Sequence, residues 1–157
     1  MQKRGNLILT QCSRELLCSC WDSRVLQTLF CDANSATAAH TMQASSGDRF
    51  VTTFGELEVV NAMGLRVFRK ESSPAQSRSS LIEFERDLRD GIFQIRELTD
   101  SILERAHQLS RQTTAKLGTR TADLLHVAAA LELGVDSLYT FDLHQRKLAQ
   151  TLRLQLN

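Results

Sequence analysis

The sequence has little proline, little glycine and little net charge, and each shortage excludes a class of protein. One proline and seven glycines in 157 residues are too few for the turns of an all-β architecture, so we expect helices joined by short loops. The formal net charge of +1 restricts any contact with nucleic acid to a local surface. No apolar run approaches the roughly 20 residues that cross a bilayer, so we expect a soluble chain with no membrane partner.

The amino-terminal fifth of the chain has a composition of its own. Its apolar residues around Leu7 are interrupted by Gln11, Arg14 and Glu15 before they reach the length of a signal peptide, so we predict no export. All four cysteines lie in this part, at spacings that match neither paired zinc knuckles nor a disulfide framework. Reduced thiols and a cytoplasmic location are the simplest interpretation.

The pattern of apolar residues predicts strands that alternate with helices. Pro74 is placed to open a helix at its first turn, Thr99 to cap the next one, and Gly134 to end a later one. The predicted strands are residues 16–21, 49–53, 92–98, 137–141 and 153–156. The predicted helices are residues 33–46, 54–70, 74–90, 100–116, 122–133 and 143–152. This order predicts an α/β sandwich whose mainly parallel sheet is flanked by helices, because parallel neighbours need long crossover connections.

Three aspartates fall at the ends of these predicted elements. Asp22 follows the first strand, Asp142 follows the strand that ends at Phe141, and Asp123 lies in the first turn of the helix before that strand. Ligands of parallel sheets bind at the carboxyl ends of the strands, and clustered carboxylates repel one another unless a cation lies among them. Mg²⁺ or Mn²⁺ suits such a cluster and can assist phosphodiester hydrolysis. Aspartate also serves as a helix cap or loop residue, an interpretation that spacing alone leaves open.

Two stretches of the sequence resemble a known family. Residues 117–142, with Thr-Ala-Asp-Leu-Leu-His around Asp123 and Thr-Phe-Asp ending at Asp142, closely resemble the C-terminal motif of the PIN domain family, in particular the VapC-type toxin ribonucleases of bacterial toxin–antitoxin modules. Residues 51–62, Val-Thr-Thr-Phe-Gly-Glu-Leu-Glu-Val-Val-Asn-Ala, are similar to the family's second strand and the acidic helix start that follows it. The resemblance implies a PIN-like three-layer sandwich.

The resemblance also implies four acidic residues that are catalytic and hold Mg²⁺ or Mn²⁺. They are Asp22, Glu58, Asp123 and Asp142. Thr140 matches the family's hydroxyl residue two positions before the fourth acid. Glu56 is the alternate for the second acid, and only one of the two glutamates can face the metal, because residues two apart on a helix differ in direction by about 200°.

Two residues beside these acids receive separate interpretations. Arg120 lies just before the predicted helix that carries Asp123. It is a candidate contact for an RNA phosphate, and the alternative is an arginine that only contacts solvent. His126 shares a helix face with Asp123 and is interpreted as a packing or hydrogen-bonding residue, outside catalysis.

The sequence departs from the family pattern around the first acid. Arg24 replaces a small polar residue, the family's proline is absent, and residues 1–14 form an atypical extension before a single PIN-like domain at residues 15–157. The resemblance implies a metal-dependent endoribonuclease with RNA as substrate, a small antitoxin as partner and a homodimer as its form. The alternative is a catalytically inactive PIN-like module that binds an antitoxin or RNA without cleavage, because Asp22 no longer serves as a metal ligand.

Overall fold

Five strands form one sheet in the part of the chain that the computed structural model describes, residues 18–22, 25–26, 40, 42–43 and 47–156. They are β1 (Cys18–Trp21), β2 (Asp48–Thr52), β3 (Gln94–Arg96), β4 (Ser137–Tyr139) and β5 (Gln155–Leu156). Their order across the sheet is β3-β2-β1-β4-β5, and every neighbouring pair is parallel. The predicted parallel sheet is therefore confirmed.

Helices connect successive strands from β2 onward and follow the predicted boundaries closely. They are α1 (Thr53–Phe68), α2 (Pro74–Arg89), α3 (Asp100–Leu117), α4 (Thr121–Glu132) and α5 (Leu143–Thr151). Helical residues are also described at 25–26, 40 and 42–43. Most of the helix predicted at 33–46, and the extension predicted at 1–14, lie outside the described residues.

Buried apolar side chains cover both faces of the sheet, which makes the fold a three-layer sandwich. Cys20 of β1 belongs to a core cluster formed with α3, α4 and α5, whereas the next residue, Trp21, belongs to a cluster formed with α1 and α2. The ring of Trp21 stacks on Tyr139 of β4, with centroids 4.4 Å apart. Burial raises the pKa of the Cys20 thiol to about 12. β1 is thus a central strand covered on both faces, as parallel sheets require.

The helices α2 and α3 both begin where predicted, but only α2 has a side-chain cap. Ser73 and Gln76 form a reciprocal capping box across the first turn, which Pro74 opens, so α2 starts where the proline predicts. Thr99 precedes α3 as predicted, but its hydroxyl lies 2.8 Å from that of Ser101 and does not cap the helix amides.

The strand β3 is shorter than predicted at its amino-terminal end. The amides of Ile92 and Phe93 both donate to the carbonyl oxygen of Asp87, at 2.9 and 3.3 Å, so these residues belong to the turn that closes α2. Gly91, with φ of 73°, occupies the left-handed region that this turn requires. The apolar alternation of the sequence cannot distinguish a turn of this kind from the first residues of a strand.

Candidate active site

The carboxyl ends of β1 and β4 mark the point where the strand order reverses. The sheet extends from β1 through β2 and β3 on one side and through β4 and β5 on the other, and parallel sheets bind their ligands at such a point. Asp22 directly follows β1, and its amide donates to the carbonyl oxygen of Tyr139 at 3.1 Å. Thr140 and Asp142 directly follow β4. The structure thus brings the predicted residues of two strands together at one edge of the sheet.

A threonine hydroxyl holds the buried carboxylate of Asp22. The residue is 0% exposed, and Oγ1 of Thr140 donates to its Oδ2 at 2.6 Å. The same hydroxyl accepts a hydrogen bond from the amide of Asp142 at 3.0 Å. A buried carboxylate is costly unless hydrogen bonds replace its water. Thr140 therefore stabilises this charge and connects the ends of the two central strands.

One guanidinium joins Asp123 to Asp142. Nε and Nη2 of Arg120 donate to Oδ2 and Oδ1 of Asp123, both at 3.1 Å, and Nη2 also donates to Oδ2 of Asp142 at 2.9 Å. The hydrogen bond to Asp123 is the main reason that the pKa of Arg120 is raised. Two carboxylates from different elements therefore share one cation, which offsets their mutual repulsion.

Both aspartates also serve as helix caps. Oδ2 of Asp123 accepts from the amide of Arg120 at 2.9 Å, and Oδ1 of Asp142 accepts from the amides of His144 and Gln145 at 2.8 and 3.3 Å. The capping interpretation and the site interpretation of these residues are therefore compatible. Caps fix each carboxylate at the start of its helix, where the helix dipole also favours negative charge.

Glu58, the residue predicted as the second acid, lies on α1. Thr52, the last residue of β2, accepts a hydrogen bond from the amide of Gly55 at 3.0 Å and so starts α1 directly at the carboxyl edge of the sheet. One turn further, Oε2 of Glu58 lies 2.6 Å from Nε2 of His126 on α4. The imidazole therefore binds Glu58, and Glu56 lies about 200° away around the helix.

Negatively charged side chains raise the pKa of His126. Burial opposes a charged imidazolium, but the hydrogen bond to Glu58 and the negative charges of Asp22, Glu58 and Asp123 favour it and raise the pKa of His126 above its ordinary value of 6.5. The contact that fixes the position of the ring is the hydrogen bond to Glu58.

The donor set suits a hard cation, although its side chains are paired internally in this structure. Carboxylate and hydroxyl oxygens are the ligands that Mg²⁺ and Mn²⁺ prefer. Within the described part of the chain, no three acidic, histidine or cysteine side chains are gathered to hold one ion. The guanidinium of Arg120 lies between Asp123 and Asp142 and pairs with both. The chemistry of these oxygen ligands therefore fits a divalent ion, although the oxygens of Asp123 and Asp142 are bound to an arginine in this structure.

His126 is a hydrogen-bonding residue, one of the two roles that the sequence suggested for it, and its partner is the predicted second acid. It is 2% exposed on a helix that is otherwise mostly apolar, so its polar ring nitrogens required partners. Asp123 and His126 are three residues apart and share one face of α4, so a partner of His126 had to lie near the same acids. That spacing was the available signal, and Glu58 on α1 is the partner.

Comparison with known proteins agrees with this architecture. The family model of the PIN domain matches residues 20–150, whereas no curated protein matches the sequence significantly. A structure of VapBC2 from Rickettsia felis bound to a promoter DNA fragment is similar, with a TM-score of 0.62 and 14% identity over 90% of this chain and 98% of that one.

Two further solved structures are similar in fold. VapC20 from Mycobacterium tuberculosis, described as a toxin that cleaves the Sarcin-Ricin loop, has a TM-score of 0.63 and 14% identity over 82% of this chain and 93% of that one. A toxin–antitoxin complex from Klebsiella pneumoniae has a TM-score of 0.55 and 18% identity over 79% and 86%. These likenesses confirm the PIN-like sandwich. Together with the family match, which covers most of the sequence, they establish that the chain belongs to the PIN domain family.

Proposed function

We propose that this chain is a metal-dependent endoribonuclease that hydrolyses RNA phosphodiester bonds as the toxin of a toxin–antitoxin module. Membership of the PIN domain family supports a nuclease, and neighbours that are VapC toxins support the toxin class. The observation that carries the proposal is the convergence of Asp123 and Asp142 on one cation, the guanidinium of Arg120. Asp22 joins this pair through the hydroxyl of Thr140.

The proposed ligands of Mg²⁺ or Mn²⁺ are Asp22, Glu58, Asp123 and Asp142. A bound divalent ion lowers the pKa of a coordinated water and stabilises negative charge that develops on the phosphate. Thr140 supports the set by holding the carboxylate of Asp22 at 2.6 Å. This hydrogen bond would fix the orientation of the Asp22 carboxylate as a ligand.

Glu58 is the proposed second acid, in preference to Glu56. The hydrogen bond of 2.6 Å to His126 fixes the direction of Glu58 towards α4, which also carries Asp123. Arg120 is the proposed contact for an RNA phosphate, because its side chain is 57% exposed while the two carboxylates that it binds are buried. Arginine pairs well with phosphate oxygens.

The proposed partners are a structured or single-stranded RNA substrate and a small antitoxin protein. The similar structures from Klebsiella pneumoniae and Rickettsia felis are toxin–antitoxin assemblies, which supports the antitoxin. A homodimer and a cytoplasmic location, where RNA is abundant, complete the proposal. No helix in the described residues is long and apolar enough to cross a membrane.

The alternative function is binding of an antitoxin or RNA without cleavage. It is favoured by the internal pairing of the acids, since the described residues offer no ready group of three metal-binding side chains. Under this alternative the bridge from Arg120 to Asp123 and Asp142 is permanent. Mn²⁺ affinity distinguishes the two functions, because an inactive module of this kind binds no ion.

Cleavage of RNA by the purified chain tests the proposal. We expect degradation with Mg²⁺ or Mn²⁺ and none with EDTA. Asp123→Asn should lower the rate about a thousandfold, because it removes one charged ligand at nearly constant size. Asp100→Asn, an exposed substitution in the first turn of α3, is the matched control and should retain full activity.

Two outcomes would contradict the ribonuclease. Activity that persists in EDTA, or equal activity of Asp123→Asn and the parent, would point to a contaminating nuclease or another mechanism. A thermal melt of each variant verifies that a lost activity does not arise from a lost fold.

A further inference from the structure

Arg120 stands out in the site because it is a cation bound where the proposed function requires another cation. Its guanidinium makes three hydrogen bonds of 2.9 to 3.1 Å to Asp123 and Asp142. These bonds use Oδ1 and Oδ2 of Asp123 and Oδ2 of Asp142, oxygens that a divalent ion between the two residues would also need. The guanidinium and a metal ion therefore compete for the same oxygens.

The carboxylates are fixed in position, whereas the guanidinium is free to leave. The side chains of Asp123 and Asp142 are 1% and 4% exposed, and backbone amides hold both as helix caps. The side chain of Arg120 is 57% exposed, so it can rotate into solvent without disturbing the core. The amide of Arg120 keeps its bond to Asp123 whatever the side chain does, because that bond belongs to the backbone.

We propose that Arg120 is an internal counter-cation, which holds Asp123 and Asp142 in place in the metal-free protein and is displaced when a divalent ion binds. This inference rests on the proposed function, since it assumes that the pair is a metal site. Two buried carboxylates repel each other, and a cation between them offsets this repulsion. The arginine supplies that cation when no ion is present, and its departure places a positive side chain beside the ion.

The proposal predicts opposite effects of one substitution on stability and on metal affinity. Replacing the guanidinium with a neutral group should destabilise the metal-free protein, because the paired carboxylates lose their cation. The same change should strengthen metal binding, because the ion no longer has to displace a competitor; the two effects are linked through one equilibrium. An arginine with a merely structural role would lower stability without strengthening metal binding.

Mn²⁺ titration of Arg120→Gln by calorimetry tests this directly, together with thermal melts with and without Mn²⁺. We expect Mn²⁺ affinity to rise about tenfold, within the range typical of coupled sites, while the Tm without metal falls. Saturating Mn²⁺ should then raise the Tm of Arg120→Gln more than that of the parent. Arg111→Gln, at an exposed arginine on α3, is the matched control and should leave both quantities unchanged.

Arg120→Lys provides a second variant with the charge retained. Lysine keeps a competing cation but lacks the bidentate geometry, so its Mn²⁺ affinity should lie between those of the parent and Arg120→Gln. The inference is overturned if the parent binds Mn²⁺ and Arg120→Gln binds it equally or more weakly. If neither protein binds Mn²⁺, the proposed metal site is wrong, and the inference about Arg120 is then wrong as well. Binding by Arg120→Gln alone would support the inference strongly.

Discussion

Each acid of the candidate site is hydrogen-bonded to another side chain, and two of the acids share one partner. The pairs are Asp22 with Thr140, Glu58 with His126, and Asp123 and Asp142 with Arg120. These partners come from elements other than the acid's own, except for Arg120 and Asp123, which are neighbours at the start of α4. The acids are therefore oriented by the fold, and each partner offers a substitution that tests the acid or acids that it binds.

Thr140→Val tests the pair that holds Asp22. Valine keeps the shape of threonine but removes the hydroxyl that donates to a fully buried carboxylate, so we expect a loss of about 2 to 3 kcal/mol in the free energy of unfolding. Urea denaturation measures the loss. Thr113→Val is the matched control, because the buried Thr113 hydroxyl binds the carbonyl oxygen of Leu109 within its own helix at 2.7 Å. The control should cost less than about 1 kcal/mol, and equal losses would contradict the account.

His126 tests the orientation of Glu58 in the proposed reaction. His126→Ala should lower kcat by about 10- to 100-fold, as loss of a residue that orients a metal ligand does, with little change in KM for RNA. His126→Gln keeps a donor near Glu58 and should recover part of kcat. Steady-state kinetics with Mn²⁺ measure kcat and KM for each variant. If alanine and glutamine lower stability and rate equally, His126 only fills space.

The sequence predicted which acids lie at the candidate site where that depends on their positions along the chain. The position of Asp22 after an apolar strand and that of Asp123 in the first turn of a helix placed both aspartates at the carboxyl edge of the predicted sheet. The partner of each acid could not be predicted, because contacts such as Thr140 with Asp22 join residues 118 positions apart. Such contacts depend on the order of strands, which no local pattern specifies.

At the scale of elements, α1 approaches the sheet more closely at its start than at its middle. A methyl group added at Gly55 would lie 3.3 Å from Cγ1 of Val51 and 3.7 Å from Cε1 of His126. At Gly64, about two and a half turns along the same helix, an added methyl group would meet no described side chain or neighbouring element within 4 Å. The absence of a side chain at Gly55 therefore allows α1 to bring Glu58 to His126.

The two glycines provide an internal comparison within α1. Gly64→Ala should stabilise the protein by about 0.5 to 1 kcal/mol, because alanine is the better helix former. Gly55→Ala should destabilise it by about 1 kcal/mol, because crowding against Val51 outweighs the same gain. Urea denaturation of both variants measures the contrast. A stabilising Gly55→Ala would show that α1 and β2 separate easily, which the account does not allow.

Elements could be predicted where periodicity and capping signals coincide, as at Pro74 and Gly134. They were misjudged where a turn imitates a strand, as at Ile92 and Phe93, whose amides bind the carbonyl oxygen of Asp87. Apolar alternation reports burial on one side and does not report which carbonyl an amide finds. The central strands were clear in the sequence because they are covered on both faces.

At the scale of the whole molecule, the family match begins close to the predicted start of the domain. The model of the PIN domain matches residues 20–150. We propose on this basis that residues 1–14 are an extension to a single domain at residues 15–157. Deleting residues 1–13 should change the Tm by less than about 2 °C, which corresponds to under roughly 1 kcal/mol for a domain of this size. A fall of about 5 °C or more would show that the extension belongs to the folded domain.

The central claim is that the acids at the reversal of strand order form one divalent-ion site. A crystal structure of the full chain with Mn²⁺, located by its anomalous scattering, tests it most directly. The account predicts one Mn²⁺ bound by carboxylate oxygens of Asp123 and Asp142, with Asp22 and Glu58 facing it and the guanidinium of Arg120 moved away. Arg120 still bound to Asp123 and Asp142, with no Mn²⁺ between them at saturating concentration, would contradict it.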